Sequence, residues 1–160
     1  MKYFLGLSKI ETYWITGTVL IIMTATFFNL QISLRRSRDS QRKDDLRSAA
    51  NAVENFKNNF AYYPTSDQGK ITACGEPRIV SEKQIFNICQ WGVDSIADLR
   101  LPQDMHQAKG ASYVYISDGT RYSLYASLEG LDEPEYSKEV IAKEVHCGDR
   151  ICNFSIASDN

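Results

Sequence analysis

The sequence predicts an α+β fold in which one long N-terminal α-helix packs on a small antiparallel β-sheet. No proline precedes Pro64 and no glycine lies between Gly17 and Gly69, so nothing interrupts a long helix. Residues 112–117 and 121–128 alternate apolar and polar side chains around an Asp-Gly-Thr turn, which predicts a β-hairpin. An apolar stripe at helical spacing marks the end of the helix, at Leu46, Ala49, Val53, Phe56 and Phe60.

The first part of the helix has the length and composition of a membrane span. Residues 12–34 carry no charge, and at about 1.5 Å per residue they reach roughly 34 Å, enough for a hydrocarbon core of about 30 Å. Small residues such as Gly17 and Ala25 suit close contact between helices in a membrane. We therefore expect a leader (1–6), a transmembrane half-helix (7–34), an amphipathic second half (35–60) and a globular head (61–160).

Charge is unevenly distributed along the chain. Residues 1–34 carry a net charge of +1, residues 35–59 carry +3, and the remaining residues carry −6. The basic segment, residues 35–59, could contact lipid headgroups or the acids of a neighbouring subunit. The acidic head argues against nucleic acid as a partner, and its length allows one modest domain.

All four cysteines lie in the head, as Cys74, Cys89, Cys147 and Cys152. An even count confined to one domain fits an oxidising, extracytoplasmic compartment. We favour pairing Cys74 with Cys89 and Cys147 with Cys152, because each pair closes a short loop. Two alternatives stay open: reduced cysteines packed in the core, and a zinc site of His146, Cys147 and Cys152, whose spacing is poor for a metal.

The start of the chain carries a recognisable motif. The leader is too short for a secretory signal with its own apolar region, and residues 6–11 read GLSKIE. This run resembles the prepilin peptidase site of type IV pilins and type II secretion pseudopilins, usually G-F-T-L-I-E. The resemblance implies cleavage between Gly6 and Leu7, N-methylation of Leu7 and assembly into a helical filament. Leu7 in place of Phe is a mild departure, and Lys9 in place of Leu puts a cation at the membrane edge.

Glu11 is the candidate assembly residue. A carboxylate at the lip of an apolar helix is costly unless it is paired, so an ionisable residue there is a functional candidate. After cleavage, the α-amino group of Leu7 on an adjoining subunit would be a suitable partner, and this is the role that the resemblance assigns to Glu11. The alternative is an acid that sits in headgroup water.

The second half of the helix begins with residues 35–45, which are polar on every face and so require charge pairs or partners. Opposite charges four residues apart predict the pairs Asp39 with Lys43 and Arg35 with Asp39. The helix is expected to end at the Tyr-Tyr-Pro run that closes with Pro64. A long helix with basic and acidic repeats that enters a Tyr-Pro turn again resembles the pilin family.

The head is expected to open with a long irregular connection at residues 65–110, which includes a short helix at 95–101. Residues 138–158 are interpreted as a final strand or hairpin clasped by the disulfide between Cys147 and Cys152, which would tie down the C-terminus. The resemblance implies that the hairpin sheet packs against the long helix. The hairpin side chains expected in the core are Tyr113, Tyr115, Tyr122 and Leu124.

No catalytic constellation is visible. His106 and His146 have no companion pattern and the usual nucleophile, phosphate and zinc motifs are absent, so we expect no enzyme. Some pseudopilins hold Ca²⁺ in a loop after such a hairpin, and Asp118, Asp132 and Glu133 could supply oxygens here. Because they lack regular ligand spacing, we expect a solvated acidic loop and no cofactor.

The resemblance implies a structural subunit of a type IV pilus-like or type II secretion pseudopilus filament. The expected partners are other pilin subunits, the prepilin peptidase, an assembly platform protein in the inner membrane and the lipid bilayer. The precursor would cross the cytoplasmic membrane once with its head outside, and would later join an extracytoplasmic filament. The positive-inside rule would put the basic segment in the cytoplasm, but the cysteines and the leader-like start favour the opposite orientation. The alternative function is an uncleaved single-pass protein that displays an extracytoplasmic binding or adhesion domain.

Overall fold

The computed structural model describes residues 8–80 and 83–158. It divides into two compact units, Met1–Ser37 and Arg38–Asn160, and helix α1 (Lys9–Phe60) contributes to both. A one-turn helix, α2 (Lys138–Ile141), lies in the second unit. The strands, all in the second unit, are β1 (Thr65–Asp67), β2 (Lys70–Val80), β3 (Lys83–Ile88), β4 (Ser95–Ile96), β5 (Leu99–Arg100), β6 (Val114–Ser117), β7 (Tyr122–Ala126), β8 (His146–Cys147), β9 (Arg150–Ile151) and β10 (Phe154–Ala157).

The described part of the first unit is the apolar half of α1. An 18-residue window of this helix has a mean hydropathy of 1.6 and none of it is buried. The hydroxyls of the threonines are satisfied within the helix, because they donate to the carbonyl one turn earlier, as Thr16 Oγ1 does to the Thr12 oxygen at 2.8 Å. By length and composition, α1 is able to cross a membrane.

The second unit is built from antiparallel sheets on the other half of α1. One sheet has the order β10-β7-β6 and another β1-β2-β3, while β4 pairs with β5 and β8 with β9. Leu46 and Val53 of the helix stripe are fully buried in one cluster with Tyr115 and Leu124 of the hairpin. The predicted fold class is therefore confirmed: a long N-terminal helix packs on small antiparallel sheets.

The predicted hairpin is confirmed as β6 and β7. The register runs from Val114 opposite Tyr125 to Ser117 opposite Tyr122, and β10 adds a third strand beside β7. Helix α1 ends where the Tyr-Pro turn was expected to end it, and the backbone N–H of Tyr63 donates to the Gly119 oxygen in the hairpin turn at 2.9 Å.

The expected irregular connection at residues 65–110 is wrong. The segment holds the sheet β1-β2-β3, in which the pairing of β2 with β3 shifts register between Thr72 and Cys74 and again between Cys74 and Arg78. These irregularities obscure the alternation that identifies a strand. The helix expected at 95–101 is also wrong, because Ala97 and Asp98 adopt positive φ angles of 47° and 65° and turn the chain between β4 and β5.

Both disulfides have the predicted pairing, in which each bond closes a short loop. Cys74 of β2 is bonded to Cys89, which directly follows β3, and Cys147 to Cys152, which closes the β8–β9 ladder. All four sulfurs are thereby used, so neither the reduced form nor the zinc set describes this structure.

Candidate functional site

The start of α1 places Glu11 against Ser8. The Ser8 backbone N–H donates to Glu11 Oε2 at 2.7 Å, and the Glu11 N–H donates to Ser8 Oγ at 3.3 Å. This reciprocal pair is a capping box, whose S-x-x-E signature is present in the sequence and was missed there. The Ser8 bond uses Oε2 and leaves Oε1 able to accept a further donor. The predicted cleavage and methylation residues, Gly6 and Leu7, lie outside the described residues, as does the leader.

A buried charge cluster, here called the Arg42 cluster, ties the second half of α1 to the head. It consists of Asp39, Arg42, Asp104 and Glu129. The side chain of Arg42 is 1 % exposed, yet its guanidinium contacts Asp39 Oδ1 at 2.9 Å, Asp104 Oδ2 at 2.8 Å and Glu129 Oε1 at 2.9 Å. A buried arginine is tolerated when its fork of donors is matched in this way.

Asp39 fixes the loop after β7 as well as Arg42. Its two carboxylate oxygens accept the backbone N–H groups of Glu129 and Gly130, both at 2.8 Å. Since Asp39 is fully buried, these hydrogen bonds replace the water that its charge loses. The cluster therefore joins the helix to a loop backbone and not only to side chains.

The electrostatics of the cluster favour the charged forms of Glu129 and Arg42. The hydrogen bond from Arg38, opposed by partial burial and assisted by Arg42, lowers the pKa of Glu129 to about 2. Burial acts to lower the pKa of Arg42, but the hydrogen bonds and charges of Asp104 and Glu129 outweigh it and raise that pKa. Glu129 and Arg42 are thus charged at neutral pH.

Carboxylates of the head also bind two further cations of the basic segment, Arg38 and Lys43. Arg38 Nε donates to both Glu129 oxygens, at 3.1 and 3.2 Å. Lys43 Nζ contacts Glu133 at 2.8 Å and Glu135 at 3.0 Å. The expected pair of Lys43 with Asp39 is therefore wrong, because Lys43 instead contacts two acids of the head.

A second buried polar contact lies one turn further along α1. Tyr113 donates its hydroxyl hydrogen to Asp45 Oδ2, and Gln41 Nε2 donates to the other oxygen of Asp45 at 2.8 Å. Burial, together with the bond to Asp45, raises the pKa of the Tyr113 phenol. The hairpin tyrosines are thus core residues, as predicted, and one of them also satisfies a helix carboxylate.

The loop that supplies Asp104 is held by the disulfide hairpin at the C-terminal end. The Asp149 N–H donates to the Gly110 oxygen at 2.8 Å, and the Ser112 N–H donates to the Cys147 oxygen at 3.3 Å. A Cβ at Gly148 would collide with the Gly110 backbone, so only glycine permits this approach.

The calcium candidates are engaged in local contacts. Asp118 Oδ1 accepts the N–H groups of Thr120 and Arg121 in the hairpin turn, and Glu133 is bound to Lys43. Asp132 follows β7 in the acidic loop. Within residues 8–80 and 83–158, no group of three or more His, Cys, Asp or Glu side chains is arranged to hold a metal ion.

The two histidines occupy different settings. His106 Nδ1 lies 3.1 Å from both Arg42 Nη2 and Glu129 Oε1, at the edge of the Arg42 cluster. His146 is exposed on β8. Neither is placed beside a nucleophile by a hydrogen bond among the described residues, and the expectation of no enzyme stays a prediction.

Comparison with known proteins adds no family assignment. No family model, curated protein or solved structure matches this chain. The fold class and the contacts above therefore stand on the chain's own residues, and the pilin resemblance is carried forward as a proposal.

Proposed function

We propose that the chain is a structural subunit of a pilus-like or secretion pseudopilus filament, without catalytic activity, that assembles through its N-terminal helix. The observation that carries the proposal is the composition of α1, a continuous helix of 52 residues. Its first half is apolar and exposed, whereas its second half is part of the head's core. A subunit that is processed at the motif of residues 6–11 would need both an apolar helix for insertion in the membrane and a folded head. Helix α1 supplies the first and contributes to the second.

The apolar half of α1 needs a partner outside its own chain. Trp14, Leu20 and Phe28 are 75 %, 63 % and 63 % exposed, and a helix that is hydrophobic on all sides is stable only in lipid or among other helices. In the precursor that partner would be the bilayer. In the filament it would be the equivalent helices of neighbouring subunits.

Glu11 would set the register between neighbouring subunits. It is the acidic residue of the described part of the first unit, and its Oε1 is available beside the Ser8 bond. After cleavage behind Gly6, the α-amino group of Leu7 on an adjoining subunit would supply the matching charge. An ion pair at the edge of an apolar bundle is valuable there because an unpaired carboxylate is costly.

The contacts of the basic segment support a head outside the cytoplasm. Arg38, Arg42 and Lys43 are bound by carboxylates of the head. Because their charges are paired within a folded domain, they contribute less to the positive-inside preference that would keep this segment in the cytoplasm. Two disulfides support the same side, since oxidising compartments favour them. A phosphatase fused after Asn160 should be active outside the cytoplasm, and a cytoplasmic head would overturn the proposal.

Mass spectrometry of the chain isolated from its native host tests the proposal directly. We expect a chain that begins with N-methyl-Leu7, because the prepilin peptidase would remove residues 1–6. A chain that retains Met1 would instead support the uncleaved single-pass binding protein. The protein should also sediment as filaments after shearing from cells, with membrane-bound precursor left behind when the peptidase is deleted.

A further inference from the structure

The root of the β2–β3 hairpin holds a groove of about 360 Å³, and we infer that it binds an arginine side chain of a partner protein. The groove lies within the second unit, between the end of α1, the two strands and the β4–β5 turn. The inference does not depend on filament assembly, since every described lining residue belongs to this unit. The lining residues that carry the argument are Phe56, Phe60, Glu76, Phe86 and Asp98.

Three phenylalanine rings form an aromatic wall of the groove. The ring centroids of Phe56 and Phe60 lie 4.4 Å apart, and each lies 5.1 Å from the centroid of Phe86. Phe56 is buried, whereas Phe60 and Phe86 are half-buried. The face of an aromatic ring attracts a cation, and a guanidinium group also stacks flat on it. The wall therefore suits an organic cation with a flat face.

Two carboxylates at the groove have no protein partner in the part of the chain that the structure describes. Glu76 and Asp98 are exposed and line the groove, and neither forms an ion pair or hydrogen bond with another described residue. Positive φ angles at Ala97 and Asp98 make the turn that brings Asp98 beside the groove. None of the described lining residues is basic. The groove is thus complementary to a cation, and its charge disfavours an anion.

A guanidinium group meets both features of the groove. Its five donors form a flat fork that matches carboxylates, and its plane stacks on a ring, which the ammonium group of lysine does not do. A metal ion would leave the aromatic wall unused. Within residues 8–80 and 83–158, moreover, no group of three or more His, Cys, Asp or Glu side chains is arranged to hold one. Arginine is therefore the side chain that the groove selects.

Exposed apolar surface beside the groove indicates that a protein carries this arginine. Ile79 lies opposite Gln84, and Gln84 and Phe86 share a face of β3 because side chains alternate along a strand. Ile79 is therefore on the same face of the hairpin as Phe86, and it is 77 % exposed. Both faces of β2 are exposed from Gly75 to Ile79, and a two-stranded hairpin alone is only marginally stable in water. A protein that inserts an arginine would also cover Ile79, which a free amino acid would leave exposed.

A titration of the isotope-labelled full chain in a maltoside detergent, followed by NMR, tests the inference. The probes, used at constant ionic strength, are N-acetyl-arginine amide, its uncharged citrulline analogue, the corresponding lysine amide and free arginine. We expect saturable shifts of the Gly75 and Ala97 amide signals with the arginine amide. The citrulline analogue should bind about tenfold more weakly, because it lacks the charge that two exposed carboxylates attract.

Three outcomes of this titration would overturn the inference. The first is the absence of a saturable shift with the arginine amide. The second is a lysine amide that binds as tightly as the arginine amide, since the aromatic wall would then select nothing. The third is tighter binding of free arginine, which would assign the groove to the amino acid and not to a protein.

Matched double variants locate the site. Glu76→Gln with Asp98→Asn removes both charges of the groove and keeps the size of the side chains, and it should weaken binding of the arginine amide about tenfold. Asp67→Asn with Glu139→Gln changes the net charge equally, at exposed positions outside the groove, and should bind normally. Equal affinities of the two double variants would contradict binding in this groove.

A longer probe tests the surface around Ile79. A blocked Leu-Arg-Leu peptide should bind about threefold more tightly than the arginine amide, because a leucine beside the arginine can cover Ile79. In Ile79→Ser the peptide should lose this gain, while the arginine amide should bind as it does to the wild type. No gain in the wild type, or a gain that persists in Ile79→Ser, would overturn the assignment to a protein partner.

Discussion

The two halves of α1 reverse the usual relation between polarity and burial. In the first half, Trp14 and Phe28 are 75 % and 63 % exposed, whereas in the second half Asp39 and Arg42 are 0 % and 1 % exposed. The helix continues through both without a break from Lys9 to Phe60. Hydrophobic side chains are thus exposed and charged side chains buried within one element.

The two halves therefore differ in where their side chains find partners: within the head for the second half, and outside the chain for the first half. The charged side chains of the second half form ion pairs within the head, and these ion pairs stabilise the folded head. Burial of the apolar surface of the first half would contribute roughly 25 cal/mol per Å², but only when lipid or another helix covers that surface. Substitutions in the second half should therefore change the free energy of unfolding of the head, and substitutions in the first half should change membrane association or assembly.

The largest effect is expected from Arg42→Ala. The variant leaves Asp39 and Asp104 buried without their cation, and breaking a buried ion pair typically costs about 3–5 kcal/mol. Urea unfolding of the full chain in detergent, followed by circular dichroism, measures the loss. Arg47→Ala is the matched control, because Arg47 pairs with Asp44 where both side chains are about 60 % exposed, and it should cost less than about 1 kcal/mol. A loss for Arg42→Ala no larger than that for Arg47→Ala would show that the Arg42 cluster contributes no more to the stability of the head than an exposed ion pair.

The Arg42 cluster also marks where sequence reasoning stops. The helix, its end and the β6–β7 hairpin follow from local spacing and turn residues, and so they could be predicted. Besides Asp39 on the same helix, the partners of Arg42 are Asp104 and Glu129, which lie 62 and 87 residues away in the chain, and no periodicity connects them with Arg42. The complementary signs of the basic segment and the acidic loop were visible, but they do not specify which cation meets which acid.

The next largest effects are expected from the disulfides. Replacing Cys74 and Cys89 together by serine opens a loop of 15 residues, which the chain-entropy model values at about 3 kcal/mol. Replacing Cys147 and Cys152 opens a loop of 5 residues, worth about 2 kcal/mol in the same model. Unfolding midpoints of the two double variants measure the order. A larger loss from the shorter loop would mean that its contact with Gly110 contributes more than chain entropy.

A smaller and pH-dependent effect is expected at Glu129. Its pKa is lowered from 4.5 to about 2 in the folded head, so the ionised carboxylate stabilises the fold above pH 4.5 and this contribution is lost as the pH falls from 4.5 to 2. Glu129→Gln should lower the unfolding free energy by about 2 kcal/mol at pH 5 after allowance for screening. The gap between wild type and variant should shrink as the pH approaches 2. A gap that stays constant would mean that the carboxylate is not held ionised by Arg38 and Arg42.

The smallest effect on the head is expected at the start of α1, where two substitutions separate capping from pairing. Glu11→Gln keeps an acceptor for the Ser8 N–H, as glutamine does in capping boxes, but removes the charge. Ser8→Ala removes the hydroxyl that accepts the Glu11 N–H and keeps the charge. Neither should alter the unfolding free energy of the head, since both residues belong to the exposed first unit. If Glu11 pairs with the amino group of a neighbour, Glu11→Gln should abolish filaments while Ser8→Ala, confirmed by mass to be cleaved, should still assemble. Normal filaments from Glu11→Gln, together with their loss in Ser8→Ala, would assign Glu11 to capping alone.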